Sequence, residues 1–280
     1  MIPARFDYDV AESVDHAIEL LSEGDGETKL LAGGQSLIPA LRLRIARPAK
    51  LADLGRLADL AYVSDGGTHV AIGAMTRHAA VAAAPLLAEH CPIVAYTAAQ
   101  IGDPQVRHRG TIGGTLSHGD PASDMPAVVL ALGADLVARG TGGERVIPAA
   151  DFFTGVFQTA LAPDEILVEI RVPKLAASTG WAYVKANRRA QDWATVGVAA
   201  LVHRDDGKVA GASIGLVNMG GTPLRARAAE DALAGGASVA DAASAVAEGT
   251  DPPSDLSGSA EYRTHLAQVI TRRALEQATG

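Results

Sequence analysis

The chain has 280 residues and a formal net charge of −8, from 24 Lys and Arg against 32 Asp and Glu. With no basic run longer than Arg188-Arg189, that balance excludes a nucleic-acid-binding surface. The single cysteine, Cys91, excludes intrachain disulfides and an iron–sulfur cluster or Cys-rich zinc site built by this chain alone.

Apolar residues at 48% and charged residues at 20% fit a folded protein. No apolar run reaches the roughly 18 residues of a membrane span. The opening residues 1–7 lack a signal-peptide pattern, so the expected location is the cytoplasm.

The first segment reads as helix, strand, glycine turn, helix. Ser13 can cap a helix whose apolar stripe is Val14, Ala17, Ile18 and Leu21. Gly24 sits where a helix end wants a residue tolerant of positive φ. Residues 29–32 are a short strand ended by Gly33-Gly34. Ser36 can cap a helix from Leu37 to about Arg44, and residues 49–54 suit another strand. A second segment starts near residue 56. Residues 69–73 alternate like a strand, Thr76 can cap a helix to about Pro85, and residues 86–101 are helical with a break at Pro92. Residues 102–125 are expected to form one long irregular loop, and such loops inside compact domains are usually functional. Ser123 can cap a helix ending near Gly133. Residues 134–138 and 144–147 make a hairpin, and residues 165–172 a strand stopped by Pro173. After a linker at 174–180, residues 181–186 are a strand. Residues 195–203 and 209–217 flank the hairpin turn Asp205-Asp206-Gly207-Lys208. Helices follow at 228–233, 239–247 and 261–277. The mixture predicts an α+β chain with more than one lobe.

Two glycine loops carry the chemistry. Ala32-Gly33-Gly34-Gln35-Ser36 follows a strand and opens a helix. Arg109-Gly110-Thr111-Ile112-Gly113-Gly114-Thr115 repeats the logic, with two threonine hydroxyls and two flanking cations, Arg107 and Arg109. Glycine lets backbone N–H groups approach an anion closely, and a helix start favours negative charge. Two such loops suit a ligand with two phosphates. Neither matches G-x-G-x-x-G or G-x-x-x-x-G-K-[ST], which disfavours a nicotinamide-type Rossmann site and a P-loop.

Further pieces follow in a fixed order: Phe6-Asp7-Tyr8 before the first loop, then residues 101–107, 117–124 and 163–167, and Lys185. With them the chain resembles the FAD-binding medium subunit of the molybdenum hydroxylases, the family of xanthine dehydrogenase and aerobic carbon monoxide dehydrogenase. The resemblance implies a two-lobed FAD-binding domain of the vanillyl-alcohol-oxidase (PCMH) type at 1–177, with lobes at about 1–55 and 56–177. A C-terminal domain of antiparallel sheet plus helices follows at 178–280. It implies that Ala32, Gly33, Gly34, Gln35 and Ser36, with Leu31 beside them, and Thr111, Ile112, Gly113, Gly114 and Thr115 hold the FAD diphosphate. Ile101, Val106, Ser117 and Asp124 would line the adenosine and ribityl side, and Leu167 and Lys185 would lie nearer the ring system or ribityl chain. Trp193 falls where relatives often carry Tyr against the ring, and Gln35 where they often carry His or Asn.

The same resemblance implies two partners, a large molybdopterin subunit and a small subunit with two [2Fe–2S] clusters, paired as a dimer of heterotrimers. Electrons from a substrate oxidised at molybdenum would pass through the clusters to FAD and then to an external acceptor. The flavin does the redox chemistry, so no acid–base catalyst is expected here. The alternative is a stand-alone FAD-dependent oxidoreductase of the same fold. Without the resemblance, Asp124 also fits the Ser123 helix cap, Arg107 and Arg109 fit surface ion pairs, Lys185 a solvated strand, and Trp193 the core. His108, His118, Asp120 and Asp124 share a loop but match no metal-ligand spacing. Gly33→Val or Gly113→Val is expected to lose FAD with the fold retained.

Overall fold

A computed structural model describes residues 2–280. In the first lobe, β1 (Asp7–Val10), α1 (Val14–Glu23), β2 (Thr28–Leu31), α2 (Leu37–Arg42) and β3 (Lys50–Asp53) build a parallel sheet in the order β1-β3-β2. The Ser13 side chain caps α1, accepting from the His16 N–H at 3.0 Å. Ala17, Ile18 and Leu21 of that helix share a core with Leu54, Leu57 and Leu60. Gly24 itself stays at φ −87°, and the positive φ falls on Asp25 and Gly26. Ser36 makes no side-chain cap bond. Strand β1 has no buried face to betray it in the sequence and is held by its ladder with β3.

The second lobe begins with a 3-10 turn (Ala58–Leu60), β4 (Val63–Asp65) and β5 (His69–Gly73). A run of short helices follows: α3 (His78–Ala83), α4 (Pro85–His90), α5 (Pro92–Gln100), α6 (Pro104–Arg109), α7 (Ile112–His118) and α8 (Asp124–Leu132). The lobe closes with β6 (Asp135–Gly140), β7 (Gly143–Pro148), α9 (Ala149–Phe152), a small hairpin of β8 (Phe153–Gly155) and β9 (Gln158–Thr159), and β10 (Ile166–Pro173). Its main sheet is antiparallel, ordered β4-β5-β10-β6-β7. Residues 102–125 are therefore not one irregular loop. Asp103 and Thr111 accept from the N–H groups of Val106 and Gly114, closing the first turns of α6 and α7. Arg77 rather than Thr76 stands at the start of α3.

The C-terminal domain contains β11 (Thr179–Ala186), β12 (Val196–Asp205), β13 (Lys208–Val217), β14 (Leu224–Arg225), α10 (Arg227–Ala234), α11 (Val239–Ser244) and α12 (Ala260–Thr279). The four strands pair antiparallel in chain order. Asp206 and Gly207 take φ of 46° and 76°, as a two-residue hairpin turn requires. Alternation gives the sheet two apolar faces. Val198, Ala200 and Ile214 pack with Ala267, Ile270 and Ala274 of α12. Ala199, Leu201 and Val217 instead join the core of the second lobe. Helix α8, buried at all nine of its residues, lies between the two, which explains why it is apolar all round. A Cβ on Gly215 of β13 would come within 2.1 Å of the Ala127 carbonyl oxygen in α8. Among the described residues no helix is long and apolar enough to cross a membrane.

Candidate cofactor site

The two glycine loops meet at the boundary between the first and second lobes. A Cβ on Gly33 would lie 2.3 Å from the Arg109 carbonyl oxygen and 2.7 Å from the Gly110 Cα. Only glycine permits this contact. Gly34 takes φ 75°, a region open to glycine. Among the described residues, the N–H groups of Gly33, Gly34, Gln35 and Ser36 meet no backbone acceptor. Consecutive free donors of this kind form an anion-binding concavity.

The second loop is braced from behind by the start of α3. Arg77 and Thr111 form an antiparallel bridge. The N–H groups of His78, Ile112 and Gly113 donate to the carbonyls of Gly110, Thr76 and Ala74 at 3.0, 3.0 and 2.9 Å. A Cβ on Gly113 would meet Ala74 Cβ at 2.5 Å and its carbonyl oxygen at 2.6 Å. Ile112 and Gly113 therefore bind the loop to the lobe, and the expectation that Gly113→Val keeps the fold is corrected: the methyls would be forced into a buried backbone. The two hydroxyls divide their work. Thr111 Oγ1 accepts from the Gly114 N–H at 3.1 Å. Thr115, half-buried, meets only His78 Nε2, at 2.9 Å, among the described residues. His78 is 1% exposed and its Nδ1 has no partner. Burial, then the charge of Arg107, lowers its pKa to about 4.

Ile101 and Val106 flank a turn that Arg107 clamps by donating to the carbonyls of Ile101 and Gly102 at 2.9 and 3.2 Å. Arg107 is thus committed to backbone carbonyls rather than to a surface carboxylate, while Arg109 and Ser117 are exposed. Asp124 accepts from the Tyr183 hydroxyl at 2.5 Å and from Lys185 Nζ at 2.9 Å. Lys185 also donates to the Gln100 carbonyl at 3.3 Å. The pair is buried, with side chains 4% and 6% exposed, and it ties α5 and α8 to β11. Ser123 makes no side-chain cap bond, and Lys185 is not a solvated strand lysine. Burial raises the Asp124 pKa, against the opposing pull of Lys185 and Tyr183. Burial likewise pushes the Tyr183 hydroxyl well above its usual range.

The Leu167 side chain is buried in the second-lobe core, at a bulge of β10, in the same apolar cluster as Ile112 and Leu116 of α7. Trp193 is 67% exposed and lines a cavity of about 480 Å³ together with Asp120, Arg188, Asn218 and Asp255. It is not a core residue. His78 and Tyr183 were not legible as site residues. The first sits in an Ala-rich helix and reaches Thr115 only through the tertiary bridge. The second shares a strand face with Lys185, two positions on, and that spacing was its one available signal.

Residues 33–36 offer free backbone donors and the second loop offers the Thr115 hydroxyl, with no carboxylate in either loop, a donor set that fits a diphosphate. Residues 4–175 match the family described as the FAD binding domain in molybdopterin dehydrogenase, and residues 181–278 match the CO dehydrogenase flavoprotein C-terminal domain. The chain is 41% identical to the carbon monoxide dehydrogenase medium chain of Hydrogenophaga pseudoflava, over 99% of this chain and 98% of that one. It is 40% identical to the 6-hydroxypseudooxynicotine dehydrogenase complex subunit alpha of Paenarthrobacter nicotinovorans, over 99% and 96%. Among solved structures, a chain of the H. pseudoflava carbon monoxide dehydrogenase superposes with TM-score 0.96 and 44% identity, covering 99% of this chain and 98% of that one. Quinoline 2-oxidoreductase from Pseudomonas putida 86 gives 0.94 and 33%, covering 100% and 98%. With both family domains in sequence order over nearly the whole length, the chain belongs to the FAD-binding medium-subunit family of the molybdenum hydroxylases.

Proposed function

We propose that this chain binds FAD between its first two lobes and serves as the electron-transfer subunit of a molybdenum-containing dehydrogenase. The observation that carries the reading is the contact of Gly33 with Arg109 and Gly110, which brings the free N–H groups of residues 33–36 up to the second glycine loop. When bound, the flavin supplies the redox chemistry, taking electrons that originate at molybdenum and delivering them to an external acceptor. The chain's own residues bind and orient. Ala32 to Ser36 and Thr115 hold the diphosphate, while Thr111, Ile112, Gly113 and Gly114 keep the second loop in shape. Ile101 and Val106 shape the neighbouring wall, and Ser117 lies on the exposed side of α7. Asp124 and Lys185 hold the C-terminal domain against the ligand cleft, with Leu167 supporting from the core. Trp193 offers an aromatic face at the cavity rim, where a ring system can stack.

The large molybdopterin subunit and the small [2Fe–2S] subunit complete the electron path, and we infer a cytoplasmic dimer of heterotrimers. The division into a flavin domain at 1–177 and a C-terminal domain at 178–280 belongs to the same reading. The test is the visible absorption spectrum of the tagged chain purified gently from its native host. Flavin bands over an iron–sulfur background are expected. Flavin bands alone would favour the stand-alone oxidoreductase, and a colourless folded protein that stays colourless with added FAD would refute FAD binding. Gly33→Val, whose side chain would push the loops apart, should lose the flavin bands with the far-ultraviolet circular dichroism unchanged.

A further inference from the structure

We propose that His78 is a positioning residue that fixes the Thr115 hydroxyl as a hydrogen-bond donor aimed at a phosphate oxygen of the bound cofactor. The inference rests on the proposed FAD reading and adds a group to it that the loop motifs do not contain.

The argument follows the protons. His78 is buried, and its ring has one partner, Thr115 Oγ1 at 2.9 Å, while Nδ1 has none. A neutral imidazole carries one N–H. On Nδ1 that proton would be a buried donor with no acceptor, a rare and costly state. On Nε2 it donates to Thr115 Oγ1, and Nδ1 keeps only an idle lone pair. The doubly protonated ring would place a charge out of water beside the Arg107 cation. The neutral Nε2–H tautomer is therefore the one the site selects.

Its consequence falls on Thr115. Once the oxygen has accepted from His78, the hydroxyl proton has to go elsewhere. Thr115 has no second partner among the described residues, not even a carbonyl one helical turn back. The residue is half-buried, in the loop that meets residues 33–35. A threonine without this neighbour can turn its proton inward and present lone pairs to the ligand, which repel an anion. With His78 behind it the hydroxyl presents a proton. The His78 N–H to Gly110 carbonyl bond at 3.0 Å fixes the histidine backbone to the same loop, so ring and hydroxyl move as one unit.

The test is the FAD dissociation constant of the full chain in its complex with the partner subunits, read by ultrafiltration and flavin fluorescence. His78→Leu keeps an apolar group of similar size and is expected to weaken FAD binding about tenfold. Thr115→Val should do the same, and the double variant should be no worse than either single one, because the two side chains act in series. His78→Gln, whose amide can donate to Thr115, should recover most of the affinity, which a merely space-filling role would not predict. Wild-type affinity in His78→Leu, or additive losses in the double variant, would overturn the relay while leaving FAD binding intact. A wild-type complex that takes up no FAD would overturn the underlying reading and the relay with it.

Discussion

His78 also makes a prediction that needs no ligand. In the unfolded chain the imidazole titrates near 6.5, whereas in the fold burial, reinforced by Arg107, holds it at about 4. Between those values the unfolded chain binds a proton that the folded chain refuses. Stability is therefore complete above pH 6.5 and falls as the pH drops toward 4, by roughly 3 kcal/mol over the window. The elements packed on α3 bring Arg107, His108 and Arg109 from α6 and Glu89 and His90 from α4, while α5 brings no charge. Urea unfolding of His78→Gln at pH 7 and pH 4.5 should show a smaller difference than the wild type. An equal difference would assign the acid sensitivity to another group. At this scale the sequence was half legible. Gly33 and Gly34 announce themselves because few turns need paired glycines before a helix. His78 and Tyr183 are ordinary residues in their own elements and acquire a role only from a partner 37 and 59 positions away.

Among elements, the amphipathic and alternating ones could be read directly. The Ser13 cap with its apolar stripe located α1, and the Asp205–Lys208 turn located β12 and β13. Helices α6 and α7, at six and seven residues, are too short to show a periodic stripe or to persist alone. They exist because Asp103 and Thr111 cap them and the surrounding lobe holds them. The junction of α5, α8 and β11 is the element-scale counterpart of this dependence, since it turns on a buried ion pair. Lys185→Met strands the Asp124 carboxylate in the interior and should cost about 3–5 kcal/mol. Tyr183→Phe removes one hydrogen bond and should cost about 1–2 kcal/mol. Urea titrations would rank the two, and adding Asp124→Asn to Lys185→Met should restore part of the loss by neutralising the stranded charge. A Tyr183→Phe penalty larger than that of Lys185→Met would contradict the ion-pair account.

For the whole molecule, the sequence predicted the lobed α+β class but not how the lobes are joined. An apolar helix such as α8 reads as core without saying which two layers it separates. The structure places it between the second-lobe core and the C-terminal sheet, at a distance fixed by Gly215. A methyl there would press on the Ala127 carbonyl. Gly215→Ala should cost about 1–3 kcal/mol through overpacking. Gly211→Ala, on the same strand and with nothing within 4 Å of its added carbon, should stay within about 0.5 kcal/mol of wild type. Thermal unfolding of the two variants compares them, and equal melting temperatures would mean that the sheet does not rest on α8 as described.

The close approach of Gly33 to Arg109 has a consequence for affinity that neither loop has alone. On the proposed reading, a ligand with two phosphates is a bivalent guest, met by the free N–H groups of residues 33–36 from one lobe and by the Thr115 hydroxyl from the other. Once one phosphate is held, the other meets its own loop at an effective concentration set by a packed wall instead of a flexible tether. Two weak sets of contacts then multiply rather than add. A change that widened the gap by an ångström, with every donor still in place, would forfeit that multiplication. On that reading a single phosphate, however well hydrogen-bonded, engages one lobe and forgoes the second.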